Sequence, residues 1–122
     1  MGARPERIVF TGSATEANNL ALLGAAGARG RRGGHLVVSA IEHPSVLEPA
    51  AALEARGYRV TRVRPNPDGV VDPEAVAAAV SDDTFLVSLM LVNNETGALQ
   101  PVAEAARLAR RRNPQVLVHS DL

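Results

Sequence analysis

The sequence predicts an α/β fold, a three-layer arrangement in which helices cover both faces of a mostly parallel sheet. Short apolar runs alternate along the chain with Ala- and Leu-rich segments of helical character. The strongest run, Thr84–Val92, is apolar at successive positions, as expected for a central strand that is buried on both faces. Strands that alternate with helices at this spacing form βαβ units, whose crossovers are right-handed.

Five strands are predicted from their apolar or alternating side chains. They are Ile8–Phe10, His35–Ala40, Tyr58–Arg64, Thr84–Val92 and Gln115–His119. Polar and apolar residues alternate in the third of them, which indicates a strand with one face less buried, as at the edge of a sheet. We therefore expect a sheet of about five strands.

Four helices are predicted between these strands. They run from about Thr15 to Ala26, from Pro44 to about Arg56, from Pro73 to Val80 and from Pro101 to Arg112. Thr15 is a candidate N-cap or first-turn residue of the first helix, and Asp72 is the N-cap of the third. Proline is favourable at the first helical position, and Gly57 and Asn113-Pro114 end the second and fourth helices.

The composition excludes several classes of protein. The length of 122 residues predicts one domain, 1–122, and a net charge of zero does not favour nucleic acid or an anionic membrane as a partner. No apolar run approaches the roughly 20 residues of a membrane span. The start, MGARPERIVF, lacks the apolar stretch of a signal peptide, so a cytoplasmic location is expected. The absence of cysteine removes disulfides, thiolate catalysis and Cys-based metal sites, and no metal site is predicted.

Polar residues collect after the predicted strands, at the edge where open α/β sheets bind ligands. The four clusters are Ser13/Thr15, Glu42/His43, Asn93/Asn94/Glu95 and Asp121. The first lies at a helix start, where unpaired N–H groups and the helix dipole favour an anion such as phosphate. Each cluster alone has a structural interpretation: a helix cap, a tight turn or a solvated carboxylate. Their convergence predicts a binding site with an anion-binding turn, an imidazole, amides and a carboxylate.

Four segments carry a resemblance to a known family: FTGSATEANNLALLGAA, SAIEHPSVLEPAAALEARGYRV, LVSLMLVNNETGALQPV and VHSD. In order and spacing they resemble the cysteine desulfurases, pyridoxal-phosphate (PLP) enzymes of the class-V aminotransferase group. The resemblance implies part of the large domain of PLP fold type I. The implied reaction is sulfur transfer from L-cysteine, which gives L-alanine and an enzyme persulfide, for iron–sulfur cluster or thio-cofactor synthesis. It also implies a homodimer that passes sulfur to acceptor proteins.

The resemblance further implies roles for five residues. Ala14 and Thr15 match the residues that hold the cofactor phosphate. His43 matches the histidine that stacks over the pyridine ring and assists proton transfer, which makes it the catalytic candidate. Asn94 matches the asparagine that bonds the ring's phenolic oxygen. Asp121 matches the aspartate that faces the pyridine nitrogen, where a buried carboxylate favours the protonated, electron-withdrawing ring.

The sequence also departs from the family pattern. Gly12-Ser13 stands where family members usually have Ser-Gly. The sequence contains no lysine to bind PLP covalently and no cysteine to accept sulfur. The segment that normally precedes this region and everything that follows the aspartate are missing, so we expect a partial chain that is inactive alone.

Three alternatives stay open. In the first alternative, the chain is a non-catalytic remnant or a module that binds PLP or a partner. The missing lysine and cysteine favour this alternative. A related class-V activity such as selenocysteine lyase cannot be separated, because the distinguishing cysteine loop lies outside the sequence. A dinucleotide-binding domain is the weakest alternative, since GSATEANN lacks G-x-G-x-x-G.

Overall fold

A computed structural model describes residues 2–122 and contains one four-stranded sheet. Its strands are β1 (His35–Ser39), β2 (Arg59–Val63), β3 (Thr84–Ser88) and β4 (Leu117–His119). They lie in the order β2-β1-β3-β4, and every neighbouring pair is parallel. The predicted α/β class is therefore confirmed, and β2 occupies the edge position that its alternating sequence predicts.

Four α-helices connect and cover the strands. They are α1 (Ala14–Ala28), α2 (Pro44–Ala55), α3 (Pro73–Ala79) and α4 (Val102–Arg112). Their starts agree with the predicted ones to within one residue, because proline at the first helical position and the Asp72 cap act locally. Gly57 ends α2 as predicted, with a φ of +98° that favours glycine.

The sheet is buried between two layers of helices. Alternate residues of β1 point to opposite faces, so Leu36 and Val38 pack with Leu22 of α1 and Leu53 of α2. Val37 packs on the other face, with residues of α3 and α4. No helix within residues 2–122 has both the length and the apolar character needed to cross a membrane.

The predicted strand Ile8–Phe10 is wrong. These residues pair with no strand among residues 2–122, and their exposed fractions rise from 38% at Ile8 through 71% at Val9 to 94% at Phe10. An apolar run becomes a strand only where a neighbour supplies hydrogen-bond partners, and nothing local to this run provides them. The sheet consequently holds four strands rather than about five.

The third strand of the sheet is shorter than predicted, because β3 ends at Ser88 and not at Val92. Beyond that point the chain continues beside β4 on one side only, with Leu89 N–H donating to His119 O and Leu91 N–H to Asp121 O. On the other side a carboxylate of Glu42, rather than a strand, accepts the N–H of Met90. The pairing of β1 with β3 ends at Ser88, and the candidate site lies in the space beyond this point.

Candidate functional site

The start of α1 retains free hydrogen-bond donors. The N-cap is Ser13, whose Oγ accepts the N–H of Glu16 at 3.1 Å, so Thr15 lies in the first turn. The Glu16 carboxylate reaches back and accepts the N–H of Gly12 at 2.8 Å. The N–H groups of Ala14 and Thr15 donate to no acceptor within residues 2–122. Two backbone donors at the positive end of the helix dipole therefore remain for an anion.

His43 follows β1 and caps α2. Its Nδ1 accepts the backbone N–H of Ser45 at 3.1 Å, and the Ser45 hydroxyl lies 2.8 Å from the same nitrogen. The side chain is otherwise exposed, and Nε2 has no hydrogen-bond partner within the described part of the chain. The helix cap thus occupies one ring nitrogen and leaves the other for a ligand.

The loop after β3 is held in place by Asn93, which is 7% exposed. Its Oδ1 accepts the N–H groups of Glu95 and Thr96, both at 2.9 Å, and its Nδ2 donates to Ile41 O at 3.2 Å. Asn93 therefore ties this loop to the end of β1. Its neighbour Asn94 is exposed, so its amide is available to a ligand.

An open cleft of about 360 Å³ lies between these two segments. Its walls are formed by residues 40–44 with Leu47 and by the loop residues 93–96. His43 and Asn94 line it together, as predicted from their positions after neighbouring strands. Neither Ala14 nor Thr15 lines this cleft in the part of the chain that the structure describes.

A buried carboxyl group forms part of the cleft wall. Glu42 is 4% exposed, and its Oε1 accepts the Ser39 hydroxyl at 2.5 Å and the Met90 N–H at 2.7 Å. Its Oε2 has no hydrogen-bond partner among residues 2–122. Burial raises the pKa of Glu42, these two hydrogen bonds oppose the shift, and the negative charge of Asp121 raises it further. Asp121 does not line the cleft among residues 2–122; its backbone carbonyl accepts the N–H of Leu91 at 3.1 Å, two residues before the cleft loop.

Three residues that the sequence reasoning missed connect α1 to this region. Asn18 donates from Nδ2 to Ser45 Oγ at 2.9 Å, and its Oδ1 lies 3.0 Å from His119 Nε2. Asn18 is 3% exposed and lies on the helix face of buried Leu22 and Ala26. A polar residue within an apolar stripe of spacing four was the signal that could have found it. Thr15 lies one turn before Asn18, which brings the anion-binding end of α1 to the same edge of the sheet.

His119 is the histidine of the VHSD motif, at the end of β4. Its Nδ1 lies 2.8 Å from Ser88 Oγ. Burial lowers the pKa of His119, while the negative charge of Asp121 opposes that shift. Among residues 2–122 no group of three or more histidine and carboxylate side chains could hold a metal ion.

Comparison with known proteins identifies the family of this chain. The aminotransferase class-V family matches residues 1–122. A cysteine desulfurase IscS of Pseudomonas entomophila is 47% identical over 121 residues, which cover 99% of this chain and 30% of that protein. Among solved structures, a NifS-like protein superposes with a TM-score of 0.95 at 39% identity, covering 99% of this chain and 33% of that one.

A second solved structure, of SspA in complex with cysteine, gives a TM-score of 0.92 at 39% identity and covers 98% of this chain and 34% of that one. This chain spans about a third of the length of the relatives that it matches. The match to the family nevertheless extends over all of its residues. The chain belongs to the class-V aminotransferase family.

Proposed function

We propose that this chain forms part of the PLP site of a cysteine desulfurase. The observation that supports this most is the cleft beyond β1 and β3, where His43 and Asn94 face a common space. A cleft at the carboxyl ends of parallel strands is the usual ligand site of an open α/β sheet. In a chain 47% identical to a cysteine desulfurase, PLP is the ligand that these residue types suit.

The residues present fit the chemistry of the cofactor. The free N–H groups of Ala14 and Thr15, with the Thr15 hydroxyl, suit a phosphate. The Asn94 amide suits the phenolic oxygen, and the Asp121 carboxylate suits a protonated pyridine nitrogen. The imidazole of His43, anchored by the α2 cap, suits stacking against an aromatic ring.

When bound, PLP supplies an electron sink that stabilises negative charge on the substrate carbon. Asp121 would face the ring nitrogen, where its negative charge would favour the protonated ring. Burial raises the pKa of Glu42, which favours its neutral form and so lessens the repulsion between the two carboxyl groups. His43 lines the cleft, has one ring nitrogen free, and is the residue that would move a proton.

The activity, substrate and partners of the whole protein are part of this proposal. L-cysteine is the proposed substrate, because the relatives are cysteine desulfurases and SspA was solved with cysteine. The proposed products are L-alanine and an enzyme persulfide. A homodimer would pass the persulfide sulfur to acceptor proteins for iron–sulfur cluster or thio-cofactor synthesis, and the proposed location is the cytoplasm. These 122 residues contain no lysine and no cysteine, so the covalent attachment of PLP and the acceptance of sulfur require residues outside them.

A second candidate function is a non-catalytic module that binds PLP or a partner. The same absence of lysine and cysteine favours it for the chain in isolation. The two candidates share the cofactor-binding residues and differ in turnover. A related class-V activity such as selenocysteine lyase would use the same residues.

The test is equilibrium dialysis of the purified chain against PLP, before and after borohydride treatment. We expect saturable, non-covalent retention that weakens by about tenfold in Thr15→Ala, which removes a hydroxyl that can donate to the phosphate, and in Asp121→Asn, which removes the charge that favours a protonated ring nitrogen. Glu74→Gln, on the far helix layer, is the matched control and should bind as the wild type does. Retention that is unchanged in both site variants would refute the proposed site.

A parallel assay follows alanine released from L-cysteine. The chain alone should release no more alanine than a protein-free sample does, since the lysine amine and the cysteine thiol are both missing. A site-specific borohydride adduct with alanine release above that control would show that these residues suffice for catalysis. That outcome would exclude the non-catalytic module.

A further inference from the structure

A line of hydrogen-bonded side chains runs beneath the cleft from β3 to His43. Ser88 Oγ lies 2.8 Å from His119 Nδ1, and His119 Nε2 lies 3.0 Å from Asn18 Oδ1. Asn18 Nδ2 lies 2.9 Å from Ser45 Oγ, which in turn lies 2.8 Å from His43 Nδ1. Five residues from four elements of the fold are joined in this way.

The middle of this line is removed from water. Ser88 is 1% exposed, Asn18 is 3% exposed and Ser45 is 5% exposed. Buried polar groups need hydrogen-bond partners, and the chain of contacts satisfies each of these side chains. In such surroundings hydrogen bonds in series also strengthen one another. The arrangement is therefore a defined network rather than a set of alternative surface contacts.

The direction of every hydrogen bond in the network follows from one backbone group. The N–H of Ser45 donates to His43 Nδ1, so this nitrogen carries a lone pair and no proton. The Ser45 hydroxyl, 2.8 Å from the same nitrogen, must then donate to it as well. Its oxygen is left to accept the Asn18 Nδ2 amide, which is the orientation observed.

The rest of the network continues in the same direction. With its amide nitrogen directed at Ser45, Asn18 offers its Oδ1 to His119, so Nε2 of His119 carries the proton. Nδ1 of the neutral His119 ring then accepts the Ser88 hydroxyl. Reversing the order would place a proton on His43 Nδ1, where it would collide with the Ser45 N–H.

We propose that the backbone N–H of Ser45 selects the Nε2–H tautomer of His43, and that the side chains of Ser45, Asn18, His119 and Ser88 are positioning residues that strengthen this preference. The free nitrogen of His43 then presents an N–H donor to the cleft and not a lone pair. A donor at this place suits a ligand with an anionic oxygen or sulfur acceptor. Only the identity of that ligand rests on the proposed PLP function; the tautomer is a property of the chain without ligand.

The tautomer can be measured on the full chain without PLP. Long-range ¹H–¹⁵N correlation spectra of ¹⁵N-histidine-labelled protein distinguish protonated from unprotonated ring nitrogens. The chain has three histidines, so single variants assign the signals. At a pH above the ordinary histidine range we expect Nε2–H and a bare Nδ1 for both His43 and His119. A His43 signal with Nδ1–H, or one averaged between the two tautomers, would overturn the proposal.

Two variants test whether the network causes the tautomer. Ser45→Ala removes the hydroxyl and keeps the backbone N–H, so the Nδ1–H fraction of His43 should rise about fivefold, as for the loss of one hydrogen bond. Asn18→Leu should have a smaller effect in the same direction, because the Ser45 hydroxyl can still donate to His43 Nδ1. Asn19→Leu is the matched control, because among residues 2–122 the Asn19 side chain hydrogen-bonds only the Thr15 carbonyl, and it should leave His43 unchanged.

These results separate the proposal from the proposed function. Loss of PLP binding with an intact Nε2–H tautomer would refute the function and keep the network. An unchanged His43 signal in Ser45→Ala would refute the positioning role even if PLP binds. Should Asn18→Leu fail to fold, the wild-type spectrum and Ser45→Ala still decide between these outcomes.

Discussion

Replacing Glu42 changes stability in a way that depends on pH and on the replacement. Glu42→Gln keeps an Oε1 acceptor for the Ser39 hydroxyl and the Met90 N–H, and it removes the ionisable group. Glu42→Ala removes the acceptor and leaves both donors without their partner. The two variants therefore separate the hydrogen bonds of this carboxyl from the cost of its charge.

The magnitudes follow from the buried environment. Leaving two donors unsatisfied costs about 1–3 kcal/mol each, so Glu42→Ala should be about 2–6 kcal/mol less stable than Glu42→Gln at any pH. Burial raises the pKa of Glu42, so the folded protein holds its proton to a higher pH than the unfolded chain. The unfolded state then binds fewer protons, and wild-type stability falls as pH rises from about 4.3 through the folded pKa. Glu42→Gln avoids this loss, which grows by about 1.4 kcal/mol for each pH step of one between the unfolded and folded pKa values.

The assay is urea unfolding followed by circular dichroism, at a series of pH values from about 4 to about 8, for the wild type and both variants. Near the lower limit the glutamine variant should match the wild type, and its advantage should grow with pH to a plateau. An advantage that is flat, or that shrinks as pH rises, would refute a raised pKa. A stable alanine variant would refute the role of the two hydrogen bonds.

Three further predictions concern the packing of the core, the loop after β3 and the cap of α1. Leu22→Ala should lower the free energy of unfolding by about 2–5 kcal/mol, whereas Phe10→Ala should lower it by less than about 0.5 kcal/mol. Equal losses would show that Ile8–Phe10 is part of the core. Asn93→Ala loses the hydrogen bonds to Ile41, Glu95 and Thr96 and should cost about 2–4 kcal/mol, with faster amide exchange in its loop, while Asn94→Ala should be neutral; the opposite ranking would contradict the structure. Ser13→Ala should cost about 1 kcal/mol of unfolding free energy, and no cost would show that the cap is not used.

Local signals made most of the fold predictable. Pro44, Pro73 and Asp72 fix helix starts through the backbone of their own first turn, and apolar runs identify the strands that are buried on both faces. The error at Ile8–Phe10 has the opposite origin, since strand formation depends on a partner distant in sequence. The early end of β3 is similar, because the Glu42 carboxyl that binds Met90 N–H lies 48 residues away.

The candidate site was predictable to the same extent. Residues that follow neighbouring parallel strands meet at one edge, which brought His43 and Asn94 to one cleft. The supporting network was not predictable, since His119 bonds Asn18 across 101 residues of sequence. Thr15, predicted as the N-cap or a first-turn residue of α1, lies in the first turn, and the N-cap is Ser13. The choice between two hydroxyl residues so close in sequence depends on the local backbone and not on residue type.

The central claim, that one edge of this sheet binds PLP, is tested most directly by backbone amide spectra recorded during a PLP titration. We expect the amides of Ala14, Thr15, His43, Asn94 and Asp121 to shift together with a single saturating curve. The amides near Glu74, on the far helix layer, should stay unchanged. Shifts confined to the arginine-rich end of α4, residues 110–112, would show that the phosphate binds there by charge alone and would contradict the claim.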